Sequence, residues 1–84
     1  LLYYFNKNIE IDFCVPSAQL AIQVSYNLND EATYEREVGA LIKFLKAFPG
    51  YQGYIITRDY ETQIEADGHT IEVVPIWKWL LQSR

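Results

Sequence analysis

Residues 10–26 read Glu-Ile-Asp-Phe-Cys-Val-Pro-Ser-Ala-Gln-Leu-Ala-Ile-Gln-Val-Ser-Tyr. Two β-rich runs flank Pro16-Ser17-Ala18, whose turn chemistry predicts a tight reversal. Alternation along a strand places Ile11, Phe13 and Val15 on one side and Glu10, Asp12 and Cys14 on the other. In the second run Leu20, Ile22, Val24 and Tyr26 share a face, opposite Ala21, Gln23 and Ser25. Each strand thus carries one apolar face and one small or polar face. Folded together, the pair brings Asp12 beside Gln23 and Ser25.

The flanking sequence builds a mixed sheet around this hairpin. Leu2 to Phe5 reads as a strand, and Asn6-Lys7-Asn8 as a turn, because asparagine tolerates left-handed backbone. With Ile9–Val15 and Leu20–Tyr26 this predicts a three-stranded antiparallel meander. Asn27 to Asp30 breaks the pattern, with Asp30 as an N-cap and Glu31 in the first helical turn. Tyr34, Val38, Leu41, Ile42, Leu45 and Phe48 then recur at helical spacing. Glu35, Arg36, Glu37 and Lys43 cover the other side as a solvated face, and Pro49-Gly50 ends the helix. Such an amphipathic helix belongs on a sheet face.

Residues 53–58 follow as a strand, so helix and strand form a right-handed crossover to a parallel neighbour. Asp67-Gly68 predicts a two-residue hairpin between Thr62–Ala66 and His69–Val74. Pro75 opens a last helical turn in which Trp77, Leu80 and Leu81 share a face. Trp77, more than Trp79, is expected to dock against the sheet. The fold class is therefore α/β: an antiparallel N-terminal meander, a crossover helix, a parallel strand and a C-terminal hairpin.

At 84 residues the chain is long enough for one small domain. Half of it is hydrophobic and 15% aromatic, which excludes a disordered segment. It contains no methionine and opens on Leu1-Leu2-Tyr3-Tyr4-Phe5. These features predict that residues 1–84 are a piece of a larger protein. They also predict that the apolar opening pairs with a second copy, making a homodimer. The net charge of -4 disfavours nucleic-acid binding, since only Lys43 and Lys46 form a close basic pair. Cys14 is the single cysteine, so no internal disulfide exists and a reducing, cytoplasmic setting is expected. It reads as a small core residue. No apolar run approaches the roughly 20 residues of a membrane span.

The order of elements, with Asp12 in one strand and Gln23-Val24-Ser25 in the next, resembles the PD-(D/E)XK nuclease-like, or restriction-endonuclease-like, fold. More narrowly, Glu10-Ile-Asp-Phe13, Gln23-Val-Ser25, Ile55-Ile-Thr-Arg58 and Val74-Pro-Ile-Trp-Lys-Trp-Leu-Leu81 resemble the C-terminal domain of a prokaryotic family. Its members carry an AAA-type P-loop ATPase module followed by a nuclease-like domain of unknown function. The resemblance covers essentially the whole chain and implies that residues 1–84 are the C-terminal piece of their parent, and a partial domain. It implies ATP and magnesium in an upstream module, which would be the first partner of this domain. The chain itself has no Gly-x-x-x-x-Gly-Lys and so no nucleotide site of its own.

In that fold an Asp and a Glu on adjacent strands hold magnesium, and a Lys two residues after the Glu helps to activate water. Carried over by position, Asp12 matches the Asp, Gln23 stands at the Glu and Ser25 at the Lys. Gln23 has no charge and Ser25 no cation, so the site is degenerate and lacks two of three functions. Glu10, two residues from Asp12, is the candidate to replace a lost carboxylate. The helix that precedes the first strand in this fold is absent, so the domain reads as truncated. The expectation is a non-catalytic domain, with neither metal nor cofactor, that serves assembly or partner binding. Two alternatives stand beside it: a metal-dependent nuclease completed by upstream acidic residues, and a regulatory ligand-binding module. A purely structural reading also remains, with Asp12 at a strand edge and Gln23 and Ser25 as hydrogen-bonded buried groups.

Overall fold

The computed structural model describes the backbone of residues 2–6 and 9–82, and the side chains of residues 9–82. In chain order the elements are β1 (Leu2–Asn6), β2 (Ile9–Val15), a 3-10 turn (Pro16–Ala18), β3 (Leu20–Val24), α1 (Glu31–Ala47), β4 (Gln52–Thr57), β5 (Thr62–Ala66), β6 (His69–Pro75) and α2 (Ile76–Gln82). The six strands form one mixed sheet in the order β1-β2-β3-β4-β6-β5. β1, β2 and β3 are antiparallel neighbours, β3–β4 and β4–β6 are parallel, and β5–β6 is antiparallel. This is the expected α/β architecture, coarsely compatible with a restriction-endonuclease-like sheet. The expected patch at Leu1 to Phe5 falls outside the described side chains. Among the described residues no helix is long and apolar enough to cross a membrane.

Local chemistry accounts for the boundaries. The reversal after β2 closes with Gln19 in left-handed backbone at φ 54°. Asp30 caps α1 as expected: its carboxylate accepts from the Thr33 amide at 3.0 Å and the Thr33 hydroxyl at 2.7 Å. This pairing holds the Asp30 carboxyl below its ordinary range. Asp67 and Gly68 have φ of 52° and 80°, the two positive values that a tight hairpin requires. Lys46 bonds Asp67 at 3.0 Å and ties the end of α1 to that hairpin.

α1 lies on one sheet face. Gly53 locates it there, because a Cβ at Gly53 would sit 3.1 Å from Leu45 Cδ1 and 3.8 Å from Leu41 Cδ2. Ala21 and Ile71 pair in register with Gly53, and Gln23 pairs with Ile55 two residues on. The small or polar face of β3 is thus the one beneath the helix. Small residues there let α1 approach, and its Leu41, Phe44 and Leu45 fill the space. Of the six predicted helix core positions, Val38, Leu41, Ile42 and Leu45 are buried. Tyr34 and Phe48 are exposed, and Phe44 is buried in their place. Phe44 packs edge-on against Tyr51, with ring centroids 5.1 Å apart.

Strict alternation in β2 fails. Leu2 lies opposite Cys14 but Tyr4 lies opposite Ile11, so β2 holds one extra residue across this step. This is a bulge. It lets Ile11 and Cys14, three apart, both enter the core, whereas Phe13 is exposed. Cys14 is a buried free thiol, as expected of a small core residue.

α2 covers part of the opposite face, against β4 and β6. The tryptophan expectation is reversed there. Trp79 packs edge-on against Tyr54 with ring centroids 5.0 Å apart, whereas Trp77 is exposed. Lys78 pairs with Glu61 across the preceding loop. The burial of α2 is set by which of its faces meets Tyr54, and the pattern of its own residues does not specify that.

Candidate functional site

The sequence places the site at the β2–β3 step, and the geometry there is specific. Regular β2–β3 pairing runs from Val15–Leu20 to Phe13–Ile22. Beyond it Gln23 bridges the strands with its side chain. Its Oε1 accepts the Asp12 amide N–H at 2.9 Å, and its Nε2 donates to the Glu10 carbonyl at 2.9 Å. A carboxamide carries one acceptor and a donor group, as a peptide group does. Gln23 therefore continues the ladder where the bulge has carried β2 off register.

Asp12 completes the exchange. Its Oδ2 accepts the Val24 amide N–H at 2.9 Å. Each strand thus gives one side chain to the other strand's backbone. Gln23 is only 1% exposed, and both ends of its amide are satisfied. Ser25 is also buried, but on the β4 side of the strand, where its amide donates to the Ile56 carbonyl at 2.9 Å. The expected grouping of Asp12, Gln23 and Ser25 is therefore met for the first two.

A cleft of about 430 Å³ opens beside this exchange, between β2–β3 and the first half of α1. Glu10, Asp12 and Gln23 line its sheet side, and Glu35, Arg36, Glu37, Gly39, Ala40 and Lys43 its helix side. Ser25 is not among the lining residues. The expectation of a fully solvated Glu37 is corrected here, since its side chain is only 16% exposed. Burial pushes the Glu37 carboxyl above its ordinary range, and the negative charges of Asp12 and Glu10 push the same way. The Arg36 guanidinium, 3.8 Å from Glu37, opposes the shift. A signal for Glu37 exists in the sequence: it lies four residues before Leu41 and seven before Phe44, on the buried stripe.

Asp12 and Gln23 by themselves do not offer a magnesium ion the oxygens it requires. A hard cation requires charged or unengaged oxygens, but Gln23 is neutral and its oxygen holds the Asp12 amide. Asp12 has one oxygen engaged by Val24. Among the described residues no three His, Cys, Asp or Glu side chains converge as a metal-binding group. His69 begins β6 opposite Ala66, in the hairpin position expected for it.

Two further polar residues hold the sheet end. Buried Thr57 accepts the Tyr60 amide at 3.1 Å and donates to the Tyr60 carbonyl at 2.6 Å, closing the loop after β4. Gln63 donates to Glu72 at 2.6 Å across β5–β6. Both roles are structural.

No family model matches the chain, and no solved structure matches it. The chain is similar to an uncharacterized protein of Methanocaldococcus jannaschii, MJ1544, at 38% identity over 88 aligned residues. The alignment covers 96% of this chain and 20% of that protein, so the chain spans about one fifth of the length of the curated relative it matches.

Proposed function

We propose that this domain is a non-catalytic, nuclease-like module that serves assembly within a longer polypeptide. The observation that carries this reading is the Asp12–Gln23 exchange. Of the two positions that would hold a metal in a working nuclease, Gln23 spends both ends of its amide and Asp12 one carboxylate oxygen on the neighbouring strand. A catalytic carboxylate has to be oriented and open to its metal, and Gln23 is neither charged nor accessible. The AAA-type ATPase context rests on the resemblance of the four short motifs. A relative about five times as long as this chain is compatible with it.

The test is calorimetric titration with magnesium and manganese, together with an assay of DNA and RNA cleavage. The reading expects no site tighter than about 100 μM, the weak end of protein calcium sites, and no cleavage. Cleavage that is abolished by EDTA and by Asp12→Ala would overturn it. It would establish instead the nuclease completed by acids from outside this chain.

A further inference from the structure

We propose that the cleft between α1 and the β2–β3 step is a docking site for an arginine side chain carried by a partner polypeptide. This names the chemistry of the partner in the assembly reading, and it rests on that reading. The lining is unbalanced in charge. Glu10, Asp12, Glu35 and Glu37 supply four carboxylates, and Arg36 and Lys43 supply two cations. A cleft whose walls carry net charge of one sign draws in a ligand of the other.

Two observations go beyond the acidity of the lining. The first is Glu37. Its side chain is mostly buried, and the guanidinium of Arg36 stands at 3.8 Å, beyond hydrogen-bond length. Burial raises the Glu37 carboxyl, and the like charges of Asp12 and Glu10 on β2 raise it further. A cation held in the cleft relieves that repulsion. The second is Gly39, at the middle of α1. Glycine weakens a helix interior relative to alanine. A Cβ at Gly39 would meet nothing within 4 Å, so no neighbour in this chain requires a glycine there. Gly39 lines the cleft beside Ala40, and the two leave the helix backbone thinly covered at that point.

A guanidinium suits both features. It is planar, so it can lie close against a backbone that carries no side chain, and its fork of donors engages more than one carboxylate oxygen. Unlike a metal ion, it does not require three ligands converging on one point, which the described residues do not provide. Gln23 takes no part in the binding, since both ends of its amide are held by β2.

Amide chemical-shift titration of the 84-residue chain tests this, with a blocked Gly-Arg-Gly peptide as the probe. The expected result is a saturable response confined to the residues of the cleft. The same peptide with citrulline, the neutral isostere, in place of arginine should give none. Glu37→Gln should weaken binding at least about tenfold. Gly39→Ala should raise the urea midpoint, because alanine suits a helix interior, and should also weaken binding, because its methyl fills the open floor. Glu65→Gln removes the same charge from an exposed position on β5 and should leave binding unchanged. The absence of a saturable response overturns the inference, as does an equal response to the citrulline peptide. So do equal losses in Glu37→Gln and Glu65→Gln, or a stabilised Gly39→Ala chain that binds as the parent does. Magnesium-dependent cleavage would remove the non-catalytic reading without altering these titrations, and a missing arginine response would leave that reading standing.

Discussion

The two faces of the sheet differ in how fully a helix covers their large residues. Beneath α1, Ile11, Ile55, Ile71 and Val73 are fully buried beside the small or polar Ala21, Gly53 and Gln23. On the α2 side Ile22, Ile56 and Val74 are buried, but the large and apolar Phe13 and Val24 stay partly open. Burial of a strand residue here therefore follows the helix above it rather than its own hydrophobicity. A helix as bulky as α1, with Leu41, Phe44 and Leu45 pointing at the sheet, needs a shallow floor. A short helix such as α2 leaves large strand residues half covered. A polar group can lie on the sealed floor because Gln23 meets its hydrogen-bonding needs within the sheet.

The comparison breaks most sharply at Leu41. Leu41 is fully buried, and Leu41→Ala should cost about 2–5 kcal/mol, the range for a core leucine. Urea unfolding measures this, and a loss under about 0.5 kcal/mol would mean that α1 does not seal its face. Next comes Gln23→Ala. It leaves the Asp12 amide and the Glu10 carbonyl without their partner in a part-buried setting, at about 1 kcal/mol, the low end for unsatisfied groups. Hydrogen exchange should show the Asp12 amide losing protection ahead of the β3–β4 amides. Equal loss in both would count against a local ladder role for Gln23.

Glu37→Gln should act in the opposite direction. The folded chain holds the Glu37 proton more tightly than the unfolded chain does, because its carboxyl is raised from the ordinary 4.5. Stability from this site is full below that ordinary value and is lost as pH rises through the raised folded value. The variant should therefore be more stable than the parent near neutral pH, by less than about 1 kcal/mol given partial exposure. The gain should disappear in acid. A gain that persisted at pH 3 would show that packing, not charge, is responsible.

The smallest effect is expected on the open face. Leu80→Ala should change the stability of the monomer by no more than about 0.5 kcal/mol, as at an exposed position. Chemical denaturation at low micromolar concentration reads this. A loss approaching that of Leu41→Ala would erase the distinction between the faces.

Much of this arrangement is written in short-range chemistry. Asp30 before a helical stripe, Asp67-Gly68 between β-rich runs, and the crossover from β3 to β4 act over a few residues or through chirality. They therefore appear in the sequence as they do in the fold. The proximity of Asp12 to Gln23 follows equally from strand alternation. What those two residues do there does not, because it depends on a bulge in β2. That bulge arises from the pairing of β1 with β2, and strand alternation alone cannot register an extra residue. The same holds for Glu37, whose place on the buried stripe is legible but whose nearness to Asp12 and Glu10 needs the helix laid on the sheet. It holds for α2 as well, where either tryptophan could have docked and contact with Tyr54 selected Trp79. Local propensity thus determined which elements form and in what order. Long-range packing decided which face α1 seals, which polar atoms are consumed in sealing it, and which apolar face remains open.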